Sequence, residues 1–578
     1  MRSEGRLDRE ASTRVGWSRL LPALLTGGIL AGTLPTDAQP EPAFVDVALD
    51  VGLDFIIKIG PPFKDTAPLE VMQREMGNGA AVGDYDNDGD LDIYLVGQTG
   101  FPNRLYRNDL ETGSRGFTDV TPPELGELGL SRMAHFVDLD GDGWLDLVVI
   151  NDDDGTDATP PSRIFRNNGD SSFTDVTAGS GFRPIGFLRA GCALADFDRD
   201  GLIDLYVTVW AGRGLEGQFS FPGSNRLYRN LGNFRFRDVT EQANLGGLDR
   251  NSFAAIFADF NGDLFPDLFV AVDNTSDEFY WNNRGVFERA TEEVGLTHIG
   301  NDMGIAAADF DDDGDLDLYV TNITDASTGG VRFGTEQFNA LHVNRLSDEG
   351  VTRFDNLAGE RGVRDTYWGW GVEFVDVDND GDLDIVAVNG MDEHVLGIAG
   401  PGSLVYQTPA VLFINDGDGT FSRLSGAGLD DARDSRALIA FDYDRDGDRD
   451  LLITNMNQPV QLMENITSNP GNWLDVDLRP SSQAIGAKVL ATFGGMTKRR
   501  DILIGGSYLA GHPTEVHFGL GDASSVDTLR IEWPDGVVET RTNVAAGQLL
   551  RITKDSGRIK ALPVSPLLHP HGLPERTP

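Results

Sequence analysis

Asp84-Tyr85-Asp86-Asn87-Asp88-Gly89-Asp90-Leu91-Asp92 sets carboxylates at positions 1, 3, 5 and 9 of a nine-residue stretch, with glycine at position 6. The pattern starts again at Asp138, Asp196, Asp259, Asp309, Asp376 and Asp442, so the chain carries seven copies at intervals of 50 to 67 residues. A tight loop folds alternate side chains onto a hard cation, and Ca²⁺ takes about six to eight oxygens from carboxylates, carbonyls and water. Glycine at position 6 permits a left-handed turn in which a Cβ is strained. Position 7 varies freely (Asp90, Trp144, Leu202, Phe265), as it does when only its carbonyl is used.

The candidate ligands are Asp84, Asp86, Asp88 and Asp92 in the first loop, and Asp138, Asp140, Asp142 and Asp146 in the second. Loop three offers Asp196, Asp198, Asp200 and Asp204; loop four offers Asp259, Asn261, Asp263 and Asp267. Loop five offers Asp309, Asp311, Asp313 and Asp317, loop six Asp376, Asp378, Asp380 and Asp384, and loop seven Asp442, Asp444, Asp446 and Asp450. Up to seven calcium ions are expected. Loop four loses a charge to Asn261 and its glycine to Leu264, so it is expected to be the weakest site or empty. An EF-hand begins alike but requires Glu at position 12 and flanking helices. Position 12 here is Leu95, Val149, Val207, Val270, Val320, Ala387 or Ile453, and a strand pattern follows each loop. Acidic turns without metal are the other alternative, and they would leave the crowded carboxylates repelling one another.

With 578 residues and 40% hydrophobic content, the chain can build a large core and more than one domain. Of its 92 acidic residues, 32 lie in the seven loops, and the formal net charge is −45. Nucleic acid and anionic membrane surfaces are therefore excluded as partners. Cys192 is the one cysteine, which rules out an internal disulfide and a cysteine zinc site; its apolar surroundings predict a buried, inert thiol. Residues 1–38 read as an export signal: Arg14 and Arg19 precede an apolar run from Leu20 to Leu34, and Thr36-Asp37-Ala38 suits cleavage. The run is too short and broken to span a bilayer, and no later stretch is a transmembrane candidate. The expected location is secreted, either extracellular or, in a bacterium, periplasmic or on the outer surface.

Residues 43–468 form the repeat array. An apolar strand precedes each loop and a second follows it. A third ends in Asn (Leu105-Tyr106-Arg107-Asn108, Leu227-Tyr228-Arg229-Asn230), and a fourth begins with Phe (Phe117-Thr118-Asp119-Val120, Phe236-Arg237-Asp238-Val239). Four short strands repeated seven times predict an all-β fold, a seven-bladed β-propeller with calcium-binding loops, followed by a small C-terminal β domain. A linear solenoid is the alternative. The last repeat lacks its fourth strand, and an orphan copy, Phe44-Val45-Asp46-Val47, stands at the start. That permutation closes a ring and leaves no open edge.

These repeats resemble the FG-GAP/VCBS repeats of integrin-α-type propellers. Ala484-Ile485-Gly486-Ala487-Lys488-Val489, His517-Phe518-Gly519-Leu520-Gly521 and Val526 to Gly536 resemble the ASPIC and UnbV domain. Together the two parts resemble the cartilage acidic protein 1 family, and the resemblance implies calcium binding and extracellular interaction. Residues 472–556 read independently as a small β domain, with strands at Asp475–Leu478, Lys488–Phe493, Arg500–Ile504, Val516–Phe518 and Leu529–Trp533. Lys498-Arg499-Arg500 is either a solvated strand end or a patch that docks on the acidic propeller. The tail, 561–578, is expected to be disordered.

The eight His residues form no zinc pattern, and Gly505-Gly506-Ser507 lacks the strand-turn-helix setting of a nucleophile elbow. The chain is therefore read as a non-enzymatic, monomeric binding or adhesion module for an extracellular protein or glycan. The alternative is a carbohydrate-active or quinone-dependent propeller enzyme. Long 2–3 connections (Ala211 to Ser224, Thr321 to Gln337, Gly390 to Thr408) share the face opposite the metal loops and are where function is expected. Arg132, Arg189, Trp368, Trp370 and Arg436 mark the channel entrance on that face; they either recognise an acidic or sugar-bearing ligand or plug the channel.

Overall fold

The computed structural model describes residues 42–57, 75–97, 101–126, 129–152, 162–184, 186–213, 219–220, 223–247, 249–323, 331–332, 335–336, 338–392, 405–406, 408–468 and 470–562. The export-signal reading, the tail beyond Leu562 and most of the three long connections lie outside them.

Each repeat becomes one antiparallel sheet with its strands in chain order. In the second repeat these are Ser131–Val137, Asp146–Asn151, Arg163–Asn167 and Phe173–Asp175. The first strand is buried along its whole length, polar Ser131, Arg132 and His135 included, whereas only Phe173 is buried in the fourth. The first strands of the seven repeats are Ala80–Gly83, Ser131–Val137, Leu188–Ala195, Ser252–Ala258, Ile305–Ala308, Gly369–Val375 and Ser435–Phe441. Each neighbours the next, and Ser435–Phe441 neighbours Ala80–Gly83. The array is a closed propeller rather than a solenoid.

Closure follows the permutation read from the sequence. Phe44–Asp46 pairs antiparallel with Gln461–Asn465, Phe44 opposite Asn465 and Asp46 opposite Met463. Side chains alternate across each strand, so successive residues feed the cores on either side. Ala80 and Val82 pack with Ile439 and Leu452 of the last sheet, while Ala81 packs with Phe136 and Leu147 of the second.

The C-terminal domain is a pair of four-stranded sheets. One is ordered Glu515–Gly521, Asn472–Arg479, Gln548–Thr553, Ile559–Leu562; the other is Met496–Asp501, Lys488–Phe493, Ser525–Glu532, Val538–Ala545. Leu474, Val476, Val489, Phe518, Leu529 and Trp533 share their common core. The expected strand Arg500–Ile504 is displaced: the strand runs Met496–Asp501, and the chain then leaves the domain.

Residues 502–511 enter the propeller channel. Ile504 bridges Leu194 of the third sheet, Gly506 N–H donates to Ala255 O at 2.9 Å, and Ala510–Gly511 pairs parallel with Ala80–Ala81. The Tyr508 ring packs tilted against Trp370, centroids 4.8 Å apart, and its hydroxyl donates to Met76 O at 2.9 Å. The glycines of this segment answer to space. A Cβ on Gly511 would lie 2.3 Å from Ala134 O, and one on Gly506 2.8 Å from Ile305 O.

Candidate metal centres

The seven loops share one backbone path. Position 6 is left-handed in all, with φ from 88° to 107° at the glycines and 73° at Leu264. Position 4 is left-handed too, at Asn87, Gly141, Arg199, Gly262, Asp312, Asn379 and Arg445. The sequence reading missed this second turn because only two of the seven residues are glycine.

The position-9 carboxylate organises each loop from below. Its Oδ1 accepts the backbone N–H of the third-strand Asn at 2.7 to 2.9 Å in every repeat. In loops one and two its Oδ2 accepts the N–H of position 2, from Tyr85 at 3.2 Å and Leu139 at 2.9 Å. The third-strand Asn then reaches across to the preceding sheet. Asn167 Nδ2 donates to Tyr85 O at 2.8 Å, Asn230 to Leu139 O at 3.1 Å and Asn282 to Phe197 O at 2.8 Å. Asn344, Asn415 and Asn465 repeat the contact on Phe260, Phe310 and Val377, and Asn108 closes the circle on Tyr443 O at 2.7 Å. The terminal Asn marker is thus a clamp between neighbouring metal loops.

Positions 1, 3 and 9 converge. In Asp84/Asp86/Asp92, Asp138/Asp140/Asp146, Asp196/Asp198/Asp204, Asp309/Asp311/Asp317 and Asp376/Asp378/Asp384, one oxygen from each residue lies within 4.8 Å of the others. An ion about 2.4 Å from each oxygen fits such a set. Position 5 lies outside these triads and caps the loop: Asp88 Oδ1 accepts Asp90 N–H at 2.9 Å, and Asp142 Oδ1 accepts Trp144 N–H at 3.0 Å. Burial, reinforced by the neighbouring carboxylates, pushes Asp146 and Asp376 up to about 8 and Asp92, Asp204, Asp317 and Asp384 well above the usual range. Asp84 Oδ1, Asp86 Oδ1, Asp198 Oδ1, Asp309 Oδ1, Asp311 Oδ1 and Asp376 Oδ1 are buried without a hydrogen-bond partner. Buried carboxylate oxygens that face one another without donors are what a bound cation satisfies. The residues present fit Ca²⁺.

The metal-loop face is covered by the C-terminal domain. Lys498 ends against Asp312 and Asp382 at 2.5 and 2.6 Å, Arg499 donates to Gly314 O at 2.6 Å, and Arg500 to Gly381 O at 3.1 Å. All three are buried, so the solvated-strand-end alternative for 498–500 gives way to docking. Arg445 and Glu515 form a paired contact at 2.7 and 2.9 Å, and Arg449 meets Asp475 at 2.5 Å.

The five channel residues sit together but inside. Arg132, Arg189, Trp368, Trp370 and Arg436 are each at most 5% exposed. Arg132 pairs with Asp152, Arg189 donates to Pro184 O at 2.6 Å, and Arg436 donates to Glu75 O at 2.7 Å with its guanidinium over Trp370. None of the five presents an exposed side chain, and their contacts hold the channel wall.

Comparison with known proteins follows the same division of the chain. The FG-GAP-like repeat model matches residues 84–149, 138–207, 209–270, 259–320 and 398–453, and the ASPIC and UnbV model matches 477–559. Cartilage acidic protein 1 of Homo sapiens is 27% identical over 577 residues, covering 92% of this chain and 78% of that protein. Its Mus musculus counterpart is 27% identical over 570 residues, covering 90% and 78%. Among solved structures, the BP39L lectin from Burkholderia pseudomallei aligns with a TM-score of 0.42 at 11% identity, covering 68% of this chain and 97% of the lectin. The chain belongs to the FG-GAP-like repeat family, its repeats closed into a β-propeller and followed by an ASPIC and UnbV domain.

Proposed function

We propose that this chain is a monomeric, calcium-loaded module that works outside the cytosol and binds a protein or glycan partner. The observation that carries the reading is the convergence of carboxylates in threes, with buried oxygens lacking a donor in loops one, three, five and six. Calcium is abundant enough outside the cytosol to fill sites of ordinary affinity, which agrees with the export signal read in residues 1–38. Among the described residues no helix is long and apolar enough to cross a membrane. With the metal loops beneath the C-terminal domain, the long 2–3 connections on the opposite face are the surface for a partner. A glycan-active or quinone-dependent enzyme of this fold would place its site over the channel, and residues 502–511 fill the channel here.

Metal analysis and melting test the first half. Several calcium ions per chain are expected. Each site held at 100 times its dissociation constant adds about 2.7 kcal/mol, so chelation should lower the melting temperature by ~10 °C or more. An unchanged melt after exhaustive chelation refutes the metal reading. For the second half, protein and glycan arrays should show calcium-dependent capture without turnover, lost on shortening the connection at 390–408. Turnover of a glycan, or of an alcohol with added quinone, overturns the module reading.

A further inference from the structure

Loop four departs from its siblings at Asn261 and Leu264, and the C-terminal domain meets it at Asp259 and Leu264. Asp259 Oδ1 accepts the N–H groups of Gly262 and Asp263 at 2.8 and 3.0 Å, and its Oδ2 accepts that of Leu264 at 3.0 Å. The same Oδ2 receives Lys488 Nζ at 2.9 Å, from the strand Lys488–Phe493 of the C-terminal domain. Asn261 and Asp263 each accept a backbone N–H at 2.9 Å. No side-chain oxygen of loop four is buried without a partner, whereas loops one, three, five and six each keep at least one.

Two other loops sharpen the contrast. Arg479 and Arg551 reach Asp84 Oδ2 at 3.2 and 3.0 Å, yet Asp84 Oδ1, Asp86 Oδ1 and Asp88 Oδ2 in that loop stay buried and partnerless. Loop two has no such oxygen either, but the C-terminal domain offers it only the Ser482 hydroxyl, at 3.1 Å from Asp138 Oδ2, and its carboxylate triad is intact. In loop four alone do a missing carboxylate and a delivered ammonium coincide. Leu264 also finds a role: it lines a small cavity with Trp533 and Pro534, and its Cδ1 lies 3.4 Å from where a Cβ on Gly536 would stand.

We propose that loop four is a metal-free docking site for the C-terminal domain, with the Lys488 ammonium as the cation on Asp259 and Leu264 as the apolar contact. Of the two residues that spoil the loop for calcium, Leu264 is used by the docking directly, while Asn261 removes the carboxylate that would compete for a divalent ion beside Asp259. A lysine charge 2.9 Å from the position-1 carboxylate repels a divalent ion from the same oxygens. The contrast with other loops rests on reading those as metal sites; the docking contact does not.

Hydrogen exchange of the full chain, with calcium and after chelation, tests this in wild type, Lys488→Met and Lys488→Arg. In wild type, chelation should speed exchange at residues 84–92 by about tenfold or more and leave 259–267 within about twofold. Lys488→Met should speed exchange at 259–267 and 488–493 with calcium present, and Lys488→Arg should restore both. Native mass spectrometry of Lys488→Met carrying Leu264→Gly should show one more bound calcium than wild type. Deprotection of loop four on chelation as large as that of loop one overturns the proposal. So does a Lys488→Met chain whose exchange matches wild type. If chelation moves no loop, the metal reading of the other loops fails, and the docking contact is decided by the Lys488→Met comparison.

Discussion

Replacing Asn167 by Ala tests whether the third-strand Asn clamps neighbouring metal loops. Its Nδ2 donates to Tyr85 O at 2.8 Å in the preceding sheet and to Leu145 O at 3.1 Å in its own, while its Oδ1 accepts Gly169 N–H at 3.0 Å. The side chain is fully buried. Alanine removes three hydrogen bonds and leaves two carbonyls and an N–H short of partners, at about 1–2 kcal/mol each. The expected cost is thus about 3–6 kcal/mol. Asn168 is the internal control, since it is exposed and bonds only Ser172 and Thr174 hydroxyls, so Asn168→Ala should cost about 0.5 kcal/mol or less. Denaturant unfolding in saturating calcium gives the magnitudes. Hydrogen exchange gives the location: Asn167→Ala should deprotect residues 84–92, the loop of the preceding sheet, as well as its own. An Asn167→Ala chain as stable as Asn168→Ala, or deprotection confined to residues 138–175, refutes the clamp.

Acid should loosen the fold through two histidines. Burial holds His135 and His342 neutral, each lowered to about 3, while the unfolded chain protonates them near 6.5. The unfolded state therefore binds more protons between about pH 6.5 and pH 3, and stability falls as pH drops through that window by up to about 1.4 kcal/mol per unit per histidine. A chain carrying His135→Gln and His342→Gln should show a shallower fall in calcium-saturated denaturation curves, and an unchanged slope refutes it. Tyr508→Ala removes the ring packed against Trp370 and edge-on to Phe253 and the hydroxyl bond to Met76; it should cost about 3–5 kcal/mol, and a loss under about 1 kcal/mol in the same curves argues against a filled channel.

The ring and its closing strand were legible because they rest on local periodicity. Phe44-Val45-Asp46 repeats the Phe-x-Asp of Phe117-Thr118-Asp119 and Phe173-Thr174-Asp175, and a displaced copy at one end has one place to pair. The converging carboxylates were legible for the same reason, since positions 1, 3 and 9 meet whenever nine residues turn twice on themselves. What the channel holds was not legible. Ile502-Leu503-Ile504-Gly505-Gly506 reads as the end of a strand, and its partners Leu194, Ala255 and Ile305 are hundreds of residues away. The five channel residues left both readings open, because a chemically diverse ring reads equally as a ligand site or as a plug from sequence alone.

The position that looked least informative carries the domain contact. Position 4 holds no metal ligand in the reading of any loop, and its identity drifts from Asn to Gly, Arg and Asp. Yet Asn87 accepts from Arg479 at 3.3 Å, Asp312 from Lys498 at 2.5 Å and Asn379 meets His517 at 2.7 Å, while Arg445 donates to Glu515 at 2.7 Å. The two glycines at this position, Gly141 and Gly262, offer no side chain, and at those loops the C-terminal domain bonds the position-1 carboxylate instead, through Ser482 and Lys488. The position-4 residues lie outside the carboxylate triads and differ with what lies above them. Loops of near-identical sequence thus present a non-repeating surface, on which the C-terminal domain finds a different partner at each loop it touches.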